Sequence, residues 1–247
     1  AAVGFVPRVP VEGAPAEERT EVRLLMDESS VWIAARMYDR DPASIARQVV
    51  RRDQDAQADY FEVAFDSNLD RRTGFVFRVS AANVQRDEYV FDDNERDRTW
   101  DGVWSSAVAI DSLGWTAELR IPLSQLRFRA SDGEQAWGIN FVRRRLKTNE
   151  ETHFALVSRT QRGLVSQFGR LEGVKARSAR RLELRPYALG SVFRGTAEAG
   201  NPFRTGRDGG SRVGRRGGDR AGGPLQPGGA PPRRSEVRGA PRQRRRA

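Results

Sequence analysis

Period-two alternation, frequent turn residues and one sharp break in composition predict an all-β protein. The expected architecture is an antiparallel two-sheet sandwich over residues 20–172, followed by a disordered tail. Apolar and polar residues alternate in nearly every segment before Phe203, so each strand has one face to bury. Many short strands, one short helix and frequent turns fit an antiparallel sandwich. From Arg204 to Ala247 there is no aromatic residue, and Arg, Gly and Pro dominate. Such a segment has too few apolar side chains to offset chain entropy. The tail holds 13 of the 43 basic and 3 of the 33 acidic groups, so the formal +10 belongs to it and residues 1–203 are neutral. The pI near 11 therefore implies no specific nucleic-acid partner for the folded part.

The elements follow in order. Glu21–Asp27 and Val31–Tyr38 alternate around Glu28-Ser29-Ser30 and predict a hairpin. Asp41-Pro42 offers an N-cap and a first-turn proline, and Ile45 and Val49 are four apart, which predicts a short helix to about Arg51. Tyr60–Asp66 pairs with Gly74–Ser80 across Ser67–Thr73, and Val84–Phe91 supplies a further strand. Trp104–Ile110 and Trp115–Ile121 flank Asp111-Ser112-Leu113-Gly114, a second hairpin signal. Ile121–Leu126 is a helical turn, and Trp137–Arg145, Thr152–Val157 and Gln167–Leu171 complete the set. Lys175–Arg181 is a linker, and Leu182–Phe193 alternates as a separate strand. Trp32, Trp104, Trp115, Trp137 and Phe141 are expected in the core.

Composition excludes several kinds of chemistry. There is no cysteine, hence no disulfide and no thiolate metal site. His153 is the only histidine and has no partner visible in the sequence, which removes histidine-based zinc sites and most histidine-dependent nucleophiles. No phosphate loop, nucleophile elbow or metalloprotease signature is present. No run of about 18 apolar residues occurs.

Four groups of residues are candidates for function. Glu62 and Arg78 lie on adjacent strands, on the face opposite Phe61, Val63 and Phe65. They form either an exposed cross-strand ion pair or a hydrogen-bonding pair in a concave polar site. Trp100 follows the acidic loop Asp92–Arg98 and is a candidate for stacking on a sugar ring. Asp66, Asn68 and Asp70 place oxygens at alternate positions, a set suited to calcium, although an ordinary polar hairpin turn uses the same residues. Arg143-Arg144-Arg145 reads as a solvated strand edge.

Six segments share order and spacing with a known family: Pro10–Arg23, Ala58–Asp66, Arg71–Phe77, Trp100–Trp104, Trp115–Phe128 and Trp137–Phe141. They resemble the carbohydrate-binding module family 9-like domain. More narrowly, they resemble its form at the N-terminus of a bacterial outer-membrane-associated family of unknown function (the DUF5916 type). The resemblance covers about residues 3–195. It implies an immunoglobulin-like β-sandwich, a glycan ligand and a periplasmic or outer-membrane location. Domains of 1–174 (sandwich), 175–203 (linker and start of a β-barrel) and 204–247 (tail) follow from it.

In sugar-binding members two tryptophans clamp a chain end, helped by Glu, Arg and Asn. By this resemblance Glu62 and Arg78 match the Glu and Arg, and Ser80 stands where the Asn would be. Ala56 stands where the first clamp Trp would be, and the second falls near Phe154. The expected binding site is therefore Glu62, Arg78, Ser80, Trp100 and Phe154, with weakened stacking. By the same resemblance, the motif of the family's first strand is not found, and that strand is expected to be missing from this sequence. The text after Phe203 has the composition of a frameshifted GC-rich frame or of a native Arg-Gly tail. Three roles remain open: a glycan-binding module, a docking or plug domain for an outer-membrane barrel, and an accessory domain of a glycoside hydrolase.

Overall fold

The computed structural model describes residues 1–129, 133–176, 190–192 and 213–215. Two compact units are present, Ala1–Leu182 and Glu183–Ala247. The first contains β1 (Val6–Val9), β2 (Thr20–Met26), β3 (Ser30–Tyr38), β4 (Tyr60–Asp66), β5 (Gly74–Ser80), β6 (Gln85–Phe91), β7 (Glu95–Asp97), β8 (Ser105–Asp111), β9 (Gly114–Pro122), β10 (Gln135–Arg145), β11 (Glu150–His153) and β12 (Gly169–Val174). In the second, β13 (Gly190–Val192) pairs antiparallel with β14 (Val213–Arg215). The rest of the tail and most of Leu182–Phe193 lie outside the described residues. Among the described residues no helix is long and apolar enough to cross a membrane.

The first unit is an antiparallel β-sandwich. One sheet runs β1-β11-β10-β4-β5-β6-β7, with β12 sharing the edge of β10 that β11 also uses, and the other runs β2-β3-β9-β8. Strand parity builds the core. Phe61, Val63 and Phe65 of β4 and Phe75, Phe77 and Val79 of β5 meet Val31, Ile33, Met37, Trp115, Leu119 and Ile121 from the facing sheet. Trp137 and Phe65 pack edge to face at 6.1 Å. β-branched and aromatic residues suit such half-buried pleats.

Four expectations need correction. The helix after Asp41 is only a 3-10 turn, Pro42–Ser44. The Asp41 carboxylate accepts from Lys147 at 2.7 Å instead of capping, Ile45 is buried with extended backbone, and Arg47 bridges to Ala58. Trp32 is 42 % exposed, because it is out of phase with Val31 and Ile33, which face inward. The third correction concerns Arg143 and Arg145, which are buried because β10 lies inside the sheet and they share the core-facing parity of Phe141. Finally, β11 stops at His153 rather than Val157, since the Asn140 side-chain amide takes both the N–H and the C=O of Ala155 at 2.9 Å.

Candidate functional site

Register places one row of side chains across the outward face of the larger sheet: Val6, His153, Val142, Glu62, Arg78 and Arg86. Directly opposed residues of an antiparallel pair share a face. Glu62 and Arg78 are such a pair, and Glu62 Oε2 accepts from Arg78 Nε at 2.8 Å and from Nη2 at 2.6 Å. Arg78 Cζ also sits 4.0 Å from the centre of the Tyr60 ring. Burial works against the Arg78 charge, but Glu62 and Tyr60 more than restore it and raise its pKa. Burial pushes the Tyr60 hydroxyl up. Glu62 and Arg78 are a cross-strand ion pair, but one that is largely buried rather than exposed. The pair lies in a cleft of about 690 Å³, walled by Arg8, Glu151 and His153 on one side and by Asp93, Arg96 and Leu164 on the other.

The cleft is preorganised by its own hydrogen bonds. His153 Nε2 donates to Glu151 Oε1 at 3.0 Å, and Arg8 Nη1 donates to the same oxygen at 3.3 Å. The Asn140 amide, fixed by Ala155, turns its nitrogen toward His153 Nδ1. That orientation leaves Nδ1 as the acceptor and Nε2 as the donor. Burial alone would raise Glu151, but His153, Arg8 and the Tyr60 hydroxyl outweigh it and hold the carboxyl at about 2. Asp93 is likewise held low: its burial is outweighed by Ser166 N–H and hydroxyl and by the N–H groups of Leu164 and Val165.

A pH dependence follows from Glu151. Its folded pKa is depressed from 4.5 to about 2, so its contribution to stability is complete above 4.5 and lost as pH falls toward 2. Glu151→Gln is expected to flatten the acid limb of a stability-against-pH curve in that window, measured by urea unfolding. An unchanged slope contradicts the assignment.

The remaining candidates lie elsewhere. Phe154 follows His153 and so points to the opposite face, where it packs on Phe5 at 6.0 Å and Phe141 at 5.8 Å. Trp100 packs against Phe75 and Phe77 on the core side, at 5.3 and 5.7 Å. Neither is a wall of the cleft. Ser80 is buried, and its hydroxyl accepts from Ala82 N–H and Val84 N–H to close a turn. Ala56 borders a small pocket beside Tyr60, Arg78 and Ser80.

Asp66 and Asp70, expected with Asn68 as a calcium set, are engaged within their own loop. Asp66 accepts from Asp70 N–H and Arg71 N–H, and Asp70 accepts from Arg72 N–H, Thr73 N–H and the Thr73 hydroxyl, so both carboxylates staple their own loop. An acidic group sits at Asp53, Asp87 and Asp101, with carboxylate oxygens within 4.8 Å of one another. Its positive partner is Arg52, which pairs with Asp87, lies 3.1 Å from Asp101 and 3.4 Å from Asp53, and donates to Gly102 O at 2.6 Å. The guanidinium stands where a cation would.

Sequence reasoning misses Arg8, Tyr60, Asn140, Glu151 and His153 as site residues. They come from four strands that are neighbours only through sheet order. The sequence signal that could have found one of them is parity: Tyr60 shares the Glu62 face.

No protein-family model and no curated protein matches the chain. Among solved structures, a carbohydrate-binding module family 9 domain from Caldicellulosiruptor kristjanssonii in complex with cellotriose is 18 % identical, over 74 % of this chain and 89 % of that one, with a TM-score of 0.49. A protein from Bacteroides uniformis ATCC 8492, provisionally described as carbohydrate-binding, is 15 % identical over 69 % of this chain and 86 % of that one, with a TM-score of 0.54. The chain shares the antiparallel β-sandwich fold of the Bacteroides protein.

Proposed function

We propose that the chain is a non-catalytic carbohydrate-binding domain that uses the Glu62–Arg78 cleft. One observation carries the reading. Among the described residues no donor reaches Glu62 Oε1 and no acceptor reaches Arg78 Nη1, while their other atoms lock the pair together. An acceptor and a donor thus stand side by side in a cleft, the complement of two vicinal hydroxyls. The sequence resemblance supports the same ligand class. The held-down carboxyls Glu151 and Asp93 suit binding better than general-acid catalysis, which needs a raised pKa.

With neither Phe154 nor Trp100 on this face, and the Tyr60 ring covered by Arg78, the cleft offers little stacking surface. Affinity for mono- and disaccharides is at best millimolar. The location that goes with such a domain is the bacterial cell envelope, periplasmic or outer-membrane-associated, as one part of a longer protein.

Titration with glucose, cellobiose and xylobiose, followed by NMR shifts of the Tyr60, Asn140 and His153 signals, tests the reading. Glu62→Gln is expected to weaken binding by about tenfold or more, as for a lost hydrogen bond to a charged group. Ala56→Trp is expected to tighten it several-fold by adding a ring beside Arg78. A folded protein that binds none of the three sugars, or a Glu62→Gln variant with parental affinity, sinks the proposal.

A further inference from the structure

The smaller sheet turns its own outward face to solvent. Register sets one row of Leu25, Trp32, Arg120 and Ser105, and a second of Arg23, Ala34, Glu118 and Ala107. These rows line a groove of about 350 Å³. Leu25 is 73 % exposed and Trp32 42 %. The indole is nevertheless fixed. Its Nε1 donates to Asp27 Oδ2 at 2.7 Å, and the Arg120 guanidinium lies over the ring at 5.2 Å. Asp27 is held in turn by Ser29 N–H, the Ser29 hydroxyl and Ser30 N–H. Ala34 and Ala107 leave space beside the indole. Arg23 and Glu118, on either side of Ala34, have no ion-pair or hydrogen-bond partner among the described residues.

A rigid exposed indole, a small-residue floor and an unpaired donor and acceptor match the needs of a pyranose ring. Arg120 lies over part of the indole, but Trp32 keeps 42 % of its surface exposed, and the C–H face of the sugar stacks on that exposed part while its hydroxyls meet the charged groups. Two large apolar side chains ringed by charge fall well short of the roughly 800 Å² per partner of a stable protein interface. The groove is the size of one or two sugar rings rather than of a docked domain. We infer that this face is a second saccharide-binding surface, taking a neutral pyranose unit of a glycan chain on Trp32, Arg23 and Glu118. It lies on the opposite side of the sandwich from the Glu62–Arg78 cleft and does not depend on it.

The test is titration of the whole chain with cellohexaose, xylohexaose and maltohexaose, read by tryptophan fluorescence and acrylamide quenching. Trp104, Trp115 and Trp137 are buried and Trp100 is half-buried, so Trp32 dominates the quenchable signal. At least one hexaose is expected to shift emission to the blue and to protect against acrylamide. Trp32→Ala is expected to abolish that response and weaken binding by about tenfold. The double variant Arg23→Gln, Glu118→Gln keeps the indole and is expected to weaken the same response by a similar factor. Glu62→Gln is expected to leave it unchanged. Silence with all three hexaoses overturns the inference, as does parental binding by the double variant. A response lost in Glu62→Gln but kept in Trp32→Ala also overturns it, while upholding the cleft.

Discussion

Replacing Arg143 with Ala is expected to lower the unfolding free energy by about 3–5 kcal/mol, the range for breaking a buried ionic hydrogen-bond network. Arg143 is 1 % exposed and reaches from β10 to the other sheet. Its Nη1 donates to Arg19 O at 3.0 Å and Thr20 Oγ1 at 3.2 Å, its Nη2 donates to Tyr38 O at 2.6 Å, and Asp39 lies 3.8 Å away. One guanidinium thus closes the start of β2 and the end of β3 against the larger sheet. Burial, then the neighbouring Arg145, pushes its pKa down to about 10, so it stays charged at neutral pH. Arg143→Ala takes the donor from the Tyr38 carbonyl and the Thr20 hydroxyl and leaves a cavity between the sheets, while Arg19 O keeps Tyr38 N–H and Asp39 keeps Arg145 and Asp41 N–H. Urea unfolding followed by tryptophan fluorescence measures the loss. A change below about 1 kcal/mol would mean that water replaces the guanidinium without cost.

The second large effect is expected at Gly114, where β9 begins. Its φ is +130°, and a Cβ added there would stand 2.2 Å from Met37 O and 2.8 Å from Asp39 N. Both are backbone atoms of the adjacent chain segment and cannot swing aside as a side chain does. Gly114→Ala must therefore part β9 from β3 at the pair Tyr38–Gly114. Backbone strain and overpacking together give an expected loss of about 3–5 kcal/mol. Gly173→Ala separates the two causes, because Gly173 also has positive φ (+73°) but a Cβ added there would meet nothing within 4 Å. Its expected loss is about 1 kcal/mol, from strain alone. Equal losses at the two sites would refute the steric account.

Much of the sandwich is legible in the sequence because period two is a local signal. Phe61, Val63 and Phe65 announce an inner face, and Glu62 is then assigned to the outer one without any knowledge of topology. The same rule, applied strictly, places Trp32 outside and Arg143 inside. The contrary expectations arise where size or charge is allowed to outrank parity. Arg143 stands two residues after Phe141 and so shares its face. The walls of the cleft are not legible in that way. His153 finds Glu151 two residues away, but Asn140 reaches His153 and Arg8 reaches Glu151 only through the order β1-β11-β10. Trp100 lies on a loop, where no periodicity assigns a face, and only tertiary packing puts it on Phe75 and Phe77. The helix expected after Asp41 fails because a local cap signal competes with burial of Ile45 and with an ion pair to Lys147.

The alternation of Phe61-Glu62-Val63 along β4 also bears on how the chain finds its fold. If β4 pairs one residue out of step, Glu62 enters the core and Phe61 and Val63 meet water. Burying an unpaired carboxylate there costs far more than any single contact in the wrong pairing returns. Arg78 on β5 imposes the same penalty from the other side. The charges that line the cleft therefore act as counting marks, setting the observed pairing below its out-of-step alternatives in free energy. A smoother, wholly apolar β4 would stack well in several alignments and leave the chain without a means of telling them apart.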